Sequence, residues 1–450
     1  MFPSYFQLRH SLTQVIDDKQ EQGHVTDGLK ETLADVPDSY DVLAVFAERL
    51  AILPRRDDWP YVEPNDWAGI AVESDPDRPL GPLPGMPSGE ASARIEAAFY
   101  GSVCGCILGK PLEFNPTLVR LQAILEGAGE WSLRDYVSER VLDHGAPAMA
   151  FWNQTYRERL SYVMPDDDIN YTVLGMLNLE QHGADFTQEQ LKGLWLHHLT
   201  ADATFGPERA FLVKAALDTL GERQGDPPLD EWVSVLNPGD EQCGAMIRAD
   251  AYGYACLGNP SLAAELAWRD ASMTHRRTGI YGAIFAAAAV AAAPAFRDPL
   301  DVFAVALQFV PQRSRFYAIA SDSLDEVAAA TDWLDGYARI HAKYGAYGHC
   351  RVFQETGTLI NTLRFAESVG DGICKQVMQG SDTDSYGATA GSILGAYFGP
   401  GHLEERWIAP FQDRFQTSLA WFRETSLSGL ARRMGELPAR IRADPTTLTL

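Results

Sequence analysis

Basic residues are scarce in this chain of 450 residues. Its 37 lysines and arginines stand against 61 aspartates and glutamates, a formal net charge of −24. A surface of that sign repels phosphate backbones and anionic lipid heads, which argues against nucleic acid or membrane as the main partner and suits a protein that gathers cations. Cysteines are few, six in all (104, 106, 243, 256, 350 and 374), with no paired CxxC and no dense framework. Reduced thiols are therefore expected rather than disulfides. Long apolar runs are missing too. The longest, Ala283 to Ala293, stops at Pro294 and is too short to span a bilayer. The first ten residues lack a signal-peptide apolar core, so a cytoplasmic location is the expectation. Alternation of period two is also absent, and no fixed-period repeat shows, which leaves little room for a sheet.

What is present is helical periodicity. Residues 1–57 alternate apolar and charged positions at helical spacing, with Tyr40, Val42, Leu43, Val45, Phe46 and Leu50 forming one amphipathic face. Residues 58–90 differ. Trp59, Tyr61 and Trp67 give way to Pro76, Pro79, Pro82, Pro84 and Pro87, which no helix interior accepts, so an extended connector is predicted. Helical patterns then run through 91–437, ahead of a short tail over 438–450. The predicted fold class is all-α: a small helical N-terminal extension, a connector and one large helical domain.

The chemistry concentrates at helix starts. Gly380 to Gly387 holds Asp382, Asp384 and Ser385 at the entry of an apolar helical stretch, oxygen donors at a spacing that can meet one hard cation. Acidic and hydroxyl residues also make good N-caps, so this stretch alone leaves metal and cap about even. Behind it Gly387, Gly391, Gly395 and Gly399 recur every four residues, matching Gly101, Gly105 and Gly109 earlier. Glycine inside a helix costs about 1 kcal/mol against alanine, so two such stripes predict helices packed backbone to backbone. That packing would carry Glu113 to the 382–385 turn, although a solvated carboxylate after a helix is the commoner reading of Glu113. A second acidic start, Asp166, Asp167 and Asp168, opens another apolar helix. Two such starts in one chain tip the balance towards a shared metal site. The turn Tyr347, Gly348 and His349 suits a ligand rim and an ordinary loop equally well. The loop with Gly239 and Gly244 leads towards Thr274 and His275, and a lone His at a helix end is more often a C-terminal cap than a functional group.

Taken together and in order, these stretches resemble the ADP-ribosylglycohydrolase family, dinitrogenase-reductase-activating glycohydrolases among them. The matching pieces are Gly101 to Glu113, the triple Asp after Pro165, Gly244 to Met246 with Thr274 and His275, and Gly380 through Gly399. The likeness spans about 91–400. It implies an orthogonal multi-helix bundle with two Mg²⁺ or Mn²⁺ ions in a cleft, and hydrolysis of a ribosyl bond. The metal acids would fall on Asp166, Asp167 and Asp168 and on Asp382, Asp384 and Ser385. Glu113 matches an acid directed at the scissile bond. Cys106 stands where many members have Asp. Substrate contacts are implied for Gly239, Gly244, His275, Tyr347, Gly348, His349 and Ser381.

Ribosyl cleavage develops positive charge at the anomeric carbon. Glu113, or one of Asp167 and Asp168, would serve as general base on the attacking water. All-oxygen ligation argues against zinc. The expected partner is a ribosyl or ADP-ribosyl substrate, free or on a modified protein. One departure bears on which. Members that bind ADP-ribose wrap the diphosphate with a small Gly- and Ser-rich loop, whereas Asp240 and Glu241 occupy that loop here. Either both acids face solvent, or the substrate is a smaller riboside without a diphosphate. A degenerate binding or structural member is the non-enzyme alternative, and the retained acids weigh against it.

Overall fold

Two antiparallel helices, Ala91–Gly109 and Thr383–Phe398, form the axis of the molecule. Their glycine stripes face each other. A Cβ added at Gly105 would lie 2.0 Å from the Gly387 carbonyl oxygen, at Gly101 2.3 Å from that of Gly391, and at Gly109 2.2 Å from that of Thr383. No side chain larger than hydrogen fits such a contact, which explains the glycine period. Thr383 Oγ1 donates to Gly109 O at 2.8 Å and fixes the register at the end that carries the acids.

The computed structural model describes residues 4–86, 89–148, 153–218 and 233–441. Among these the regular elements are α-helices and 3₁₀ turns, with isolated β-bridges and no strand, so the fold is all-α. The apolar stretch around Ala283 to Ala293 lies in helix Thr278–Ala292, buried along its whole length. An 18-residue window over Thr278–Ala295 is apolar enough to cross a membrane, but 89% of it is buried inside the protein, the place of a core helix.

The N-terminal helices Tyr5–Glu21, Leu29–Asp35 and Tyr40–Ala51 hold their own small core of Leu12, Ile16, Leu33, Leu43, Phe46 and Leu50. The predicted amphipathic face is narrower than its periodicity suggested. Leu43, Phe46 and Leu50 are buried, while Val42 and Val45 are 40% and 64% exposed, because three short helices have too little surface to cover a wider stripe. The segment after them is not extended throughout either. No proline lies between Pro64 and Pro76, Asp66 caps the Gly69 amide at 2.8 Å, and Trp67–Glu73 turns helical. Its aromatics pack on the main body: Trp67 lies 5.6 Å from Trp268, and the Arg315 guanidinium sits over Trp59. Pro87 and the tail from 442 onward lie outside the described residues.

Candidate metal centre and active site

The acidic helix starts meet at the end of the glycine contact. Asp166 is the N-cap of helix Asp167–His182, and its Oδ1 accepts the Asp168 amide at 3.1 Å. Asp382 occupies the same place on Thr383–Phe398 yet makes no capping hydrogen bond. Its carboxylate turns inward, where Oδ2 accepts the thiols of Cys350 at 2.9 Å and Cys243 at 3.4 Å. Ser385 Oγ donates to Asp168 Oδ2 at 3.4 Å and joins the two starts. Capping thus accounts for Asp166 and not for Asp382.

Glu113 reaches this turn as the glycine packing predicted. Its carboxylate and those of Asp382 and Asp384 offer oxygens within 4.8 Å of one another. Lys110 Nζ lies among them, 2.8 Å from Glu113 Oε2, 2.7 Å from Asp166 Oδ2 and 2.7 Å from Asp384 Oδ2. Among the described residues the buried oxygens Asp168 Oδ1, Asp384 Oδ1 and Glu355 Oε2 have no hydrogen-bond partner, and Glu113 Oε2 and Asp166 Oδ2 have only their ion pairs with Lys110. The electrostatics match this crowding. Burial and the Asp384 charge push Glu113 up to about 9 against the pull of Lys110. Burial with the Asp384 and Glu355 charges pushes Asp382 up to about 8. Asp167 and Asp168 are driven well above the usual carboxylate range by burial and by Asp166. Burial alone would lower Lys110, but Asp166, Asp384 and Glu113 outweigh it and hold the ammonium well above its ordinary value. Three of these carboxylates, Glu113, Asp166 and Asp384, meet the one ammonium.

Several neighbours carry no sequence signal of their own. Glu355 is buried behind Asp382, takes the Cys350 amide at 2.8 Å, and is pushed by burial up to about 7. Cys106 lies within ligand reach of Asp166 and Asp168, as Cys243 and Cys350 do of Asp382. The expectation of purely oxygen surroundings therefore needs correction, since three thiols border the acids. Burial and the Asp166 charge push the Cys106 thiol well up, so it stays protonated.

The expected substrate residues divide into three groups. Ser381 sits in the turn itself with φ +61°, its amide donating to Pro116 O at 2.8 Å and its Oγ accepting Gln354 Nε2 at 3.3 Å. Tyr347, Gly348 and His349 are exposed and run directly into Cys350. His275 and Gly244 belong to a separate buried network. His275 Nδ1 lies 2.8 Å from Thr274 Oγ1, while Arg248 pairs with Glu208 at 2.7 Å and with Asp270. A Cβ at Gly244 would strike Glu208 Oε1 at 2.3 Å.

Asp240 and Glu241 take neither orientation expected of them. Both are buried, so they face neither solvent nor a ligand. Arg277 pairs with Asp240 at 2.8 Å and Glu241 at 2.6 Å, Arg315 adds 2.6 Å to Glu241, and Gln22 donates to Asp240 at 2.7 Å. The compensating cations lie far along the chain, so repulsion of a diphosphate by this loop no longer follows. The Gly239 amide, for its part, donates to Asp18 Oδ2 at 2.7 Å.

A family model described as ADP-ribosylglycohydrolase matches residues 87–442. A solved structure described as an ADP-ribosylglycohydrolase-related protein complex is 16% identical, with 78% of this chain and 99% of that one covered and a TM-score of 0.47. No curated protein matches.

Proposed function

Because the chain belongs to the ADP-ribosylglycohydrolase family, we propose that it is a metal-dependent hydrolase cleaving the ribosyl bond of an ADP-ribosyl group. The observation that carries the metal reading is the pair of buried, unpartnered oxygens Asp168 Oδ1 and Asp384 Oδ1 within a cluster rich in carboxylates. An unmatched carboxylate in a dry site is expensive, and a cation relieves it. Asp168, Asp382, Asp384 and Ser385 are the residues that would hold Mg²⁺ or Mn²⁺, hard ions suited to oxygen donors. When bound, such an ion supplies positive charge that orients ribose hydroxyls and acidifies water. The chain's own groups supply the rest. Glu113 has a side chain 29% exposed, against 1% for Asp166 and 2% for Asp384, so it is the carboxylate of these three that a substrate can reach. It holds or takes the proton of the attacking water, and Lys110 steadies its charge at 2.8 Å. Cys243 and Cys350 orient Asp382 by donating to Oδ2. The buried carboxylates favour the positive charge that grows at the anomeric carbon.

Hydrolysis of an ADP-ribosylated peptide tests this, before and after EDTA and with Mg²⁺ or Mn²⁺ returned. Stripping should abolish turnover and the ion should restore it. Asp384→Asn, which keeps size and removes charge, should lower the rate at least about a hundredfold with the fold intact. Full activity in the stripped protein would refute the metal reading.

One observation favours a second substrate class, a riboside lacking a diphosphate: the Gly239 amide is already taken by Asp18. Titration with ADP-ribose and with ribose separates the two. Much tighter binding of ADP-ribose removes the smaller riboside.

A further inference from the structure

We propose that Lys110 is a built-in cation that replaces one member of the metal pair, so that this centre takes a single divalent ion. The inference rests on the metal-dependent reading above and concerns how many ions the pocket admits.

Three carboxylate oxygens, from Glu113, Asp166 and Asp384, converge on one point at 2.7 to 2.8 Å, and Lys110 Nζ occupies that point. Oxygens converging from three chain segments are the surroundings a hard cation requires. Here the positive charge is covalently attached. A divalent ion bound by the same three oxygens would need the volume of Nζ, and next to it would meet like charge in a medium that screens poorly.

The ammonium is also held in place. Lys110 is 8% exposed and follows Gly109 directly, where the two helix backbones touch. Pro111 and Leu112 continue from it as a 3₁₀ turn. The backbone therefore cannot withdraw the side chain without parting the glycine contact.

On the other side of Asp384 the picture reverses. Asp384 Oδ2 faces Lys110, while Oδ1 has no partner, and neither has Asp168 Oδ1. Both residues are nearly fully buried, at 1% and 2% exposure. Ser385 Oγ reaches Asp168 from the same helix start, donating to Oδ2 at 3.4 Å. One set of acids is thus already neutralised from within, and the other awaits an ion.

Counting bound Mn²⁺ decides the matter, by equilibrium dialysis with elemental analysis and by electron paramagnetic resonance. The wild-type protein should bind one Mn²⁺ per chain and give an uncoupled six-line spectrum. Lys110→Met, with Lys110→Ala as a second variant, should bind two and show exchange coupling. Two ions in the wild type would overturn the proposal while leaving the metal-dependent reading intact. No ion in the wild type would overturn both. One ion in the wild type and in folded variants would show that Lys110 is not what excludes the second. If neither variant folds, the wild-type count and spectrum still decide.

Discussion

Asp382 heads a helix without capping it, its carboxylate turning to the Cys350 and Cys243 thiols instead. Burial, with the Asp384 and Glu355 charges, makes this carboxylate hard to ionise against the opposite pull of the Cys350 thiol. The consequence for pH has a definite sign. Glu113 and Asp382, raised to about 9 and about 8, bind more protons in the folded state than in the unfolded one. Their contribution to stability is present at low pH and fades as pH rises from the ordinary carboxylate range through those folded values. A bound cation removes that penalty. The rise in melting temperature caused by Mn²⁺ should therefore be larger at pH 8.5 than at pH 6, measured by thermal unfolding with and without the ion. An equal rise at both would mean that Asp382 does not hold it. The acids themselves were legible in the sequence, because carboxylates gathered at helix starts stand out in one dimension. Lys110, Glu355 and the thiols were not. Each becomes notable only through partners brought from distant segments; the ion pair from Lys110 to Asp384 spans 274 positions.

The glycine stripes show what a sequence reveals about an element. A side chain forbidden every fourth residue leaves a visible period, so the backbone contact followed from spacing, whereas spacing alone favoured a solvated Glu113. Gly105→Ala would place a Cβ 2.0 Å from Gly387 O, an atom of rigid backbone. It should destabilise the protein by at least about 1–3 kcal/mol, as overpacking does, and weaken Mn²⁺ binding as the helices part. Gly193, exposed in the middle of helix Gln188–His198, is the control. A Cβ there meets nothing within 4 Å, and Gly193→Ala should stabilise by about 0.5–1 kcal/mol. Denaturant titration of both variants checks the pair; equal effects would mean the close approach is relaxed in solution. Ion pairs leave no comparable trace. Nothing near Asp240 and Glu241 in sequence announces Arg277 and Arg315, which is why the loop reads as repulsive until it is folded.

At the scale of the molecule, Arg315 ties three regions together. It pairs with Glu63 of the segment after the N-terminal helices at 2.8 Å and with Glu241 of the loop at 2.6 Å, all three buried. Removing one partner of a buried pair strands the others, so Arg315→Met should cost about 3–5 kcal/mol, read from chemical denaturation. A loss below about 1 kcal/mol would show that Arg277 suffices for Glu241 and Arg55 for Glu63.

The chain order of the carboxylates has its own consequence. Glu113 and Asp166 to Asp168 lie in the first half, whereas Asp382, Asp384 and Ser385 come after residue 380. As the ribosome extends the chain from its N-terminus, the first set is complete long before the second exists. For about half of synthesis Lys110 has Glu113 and Asp166 available to it, but not Asp384. The acidic helix starts meet only once the last of these segments has been made, on a body whose earlier helices are already complete.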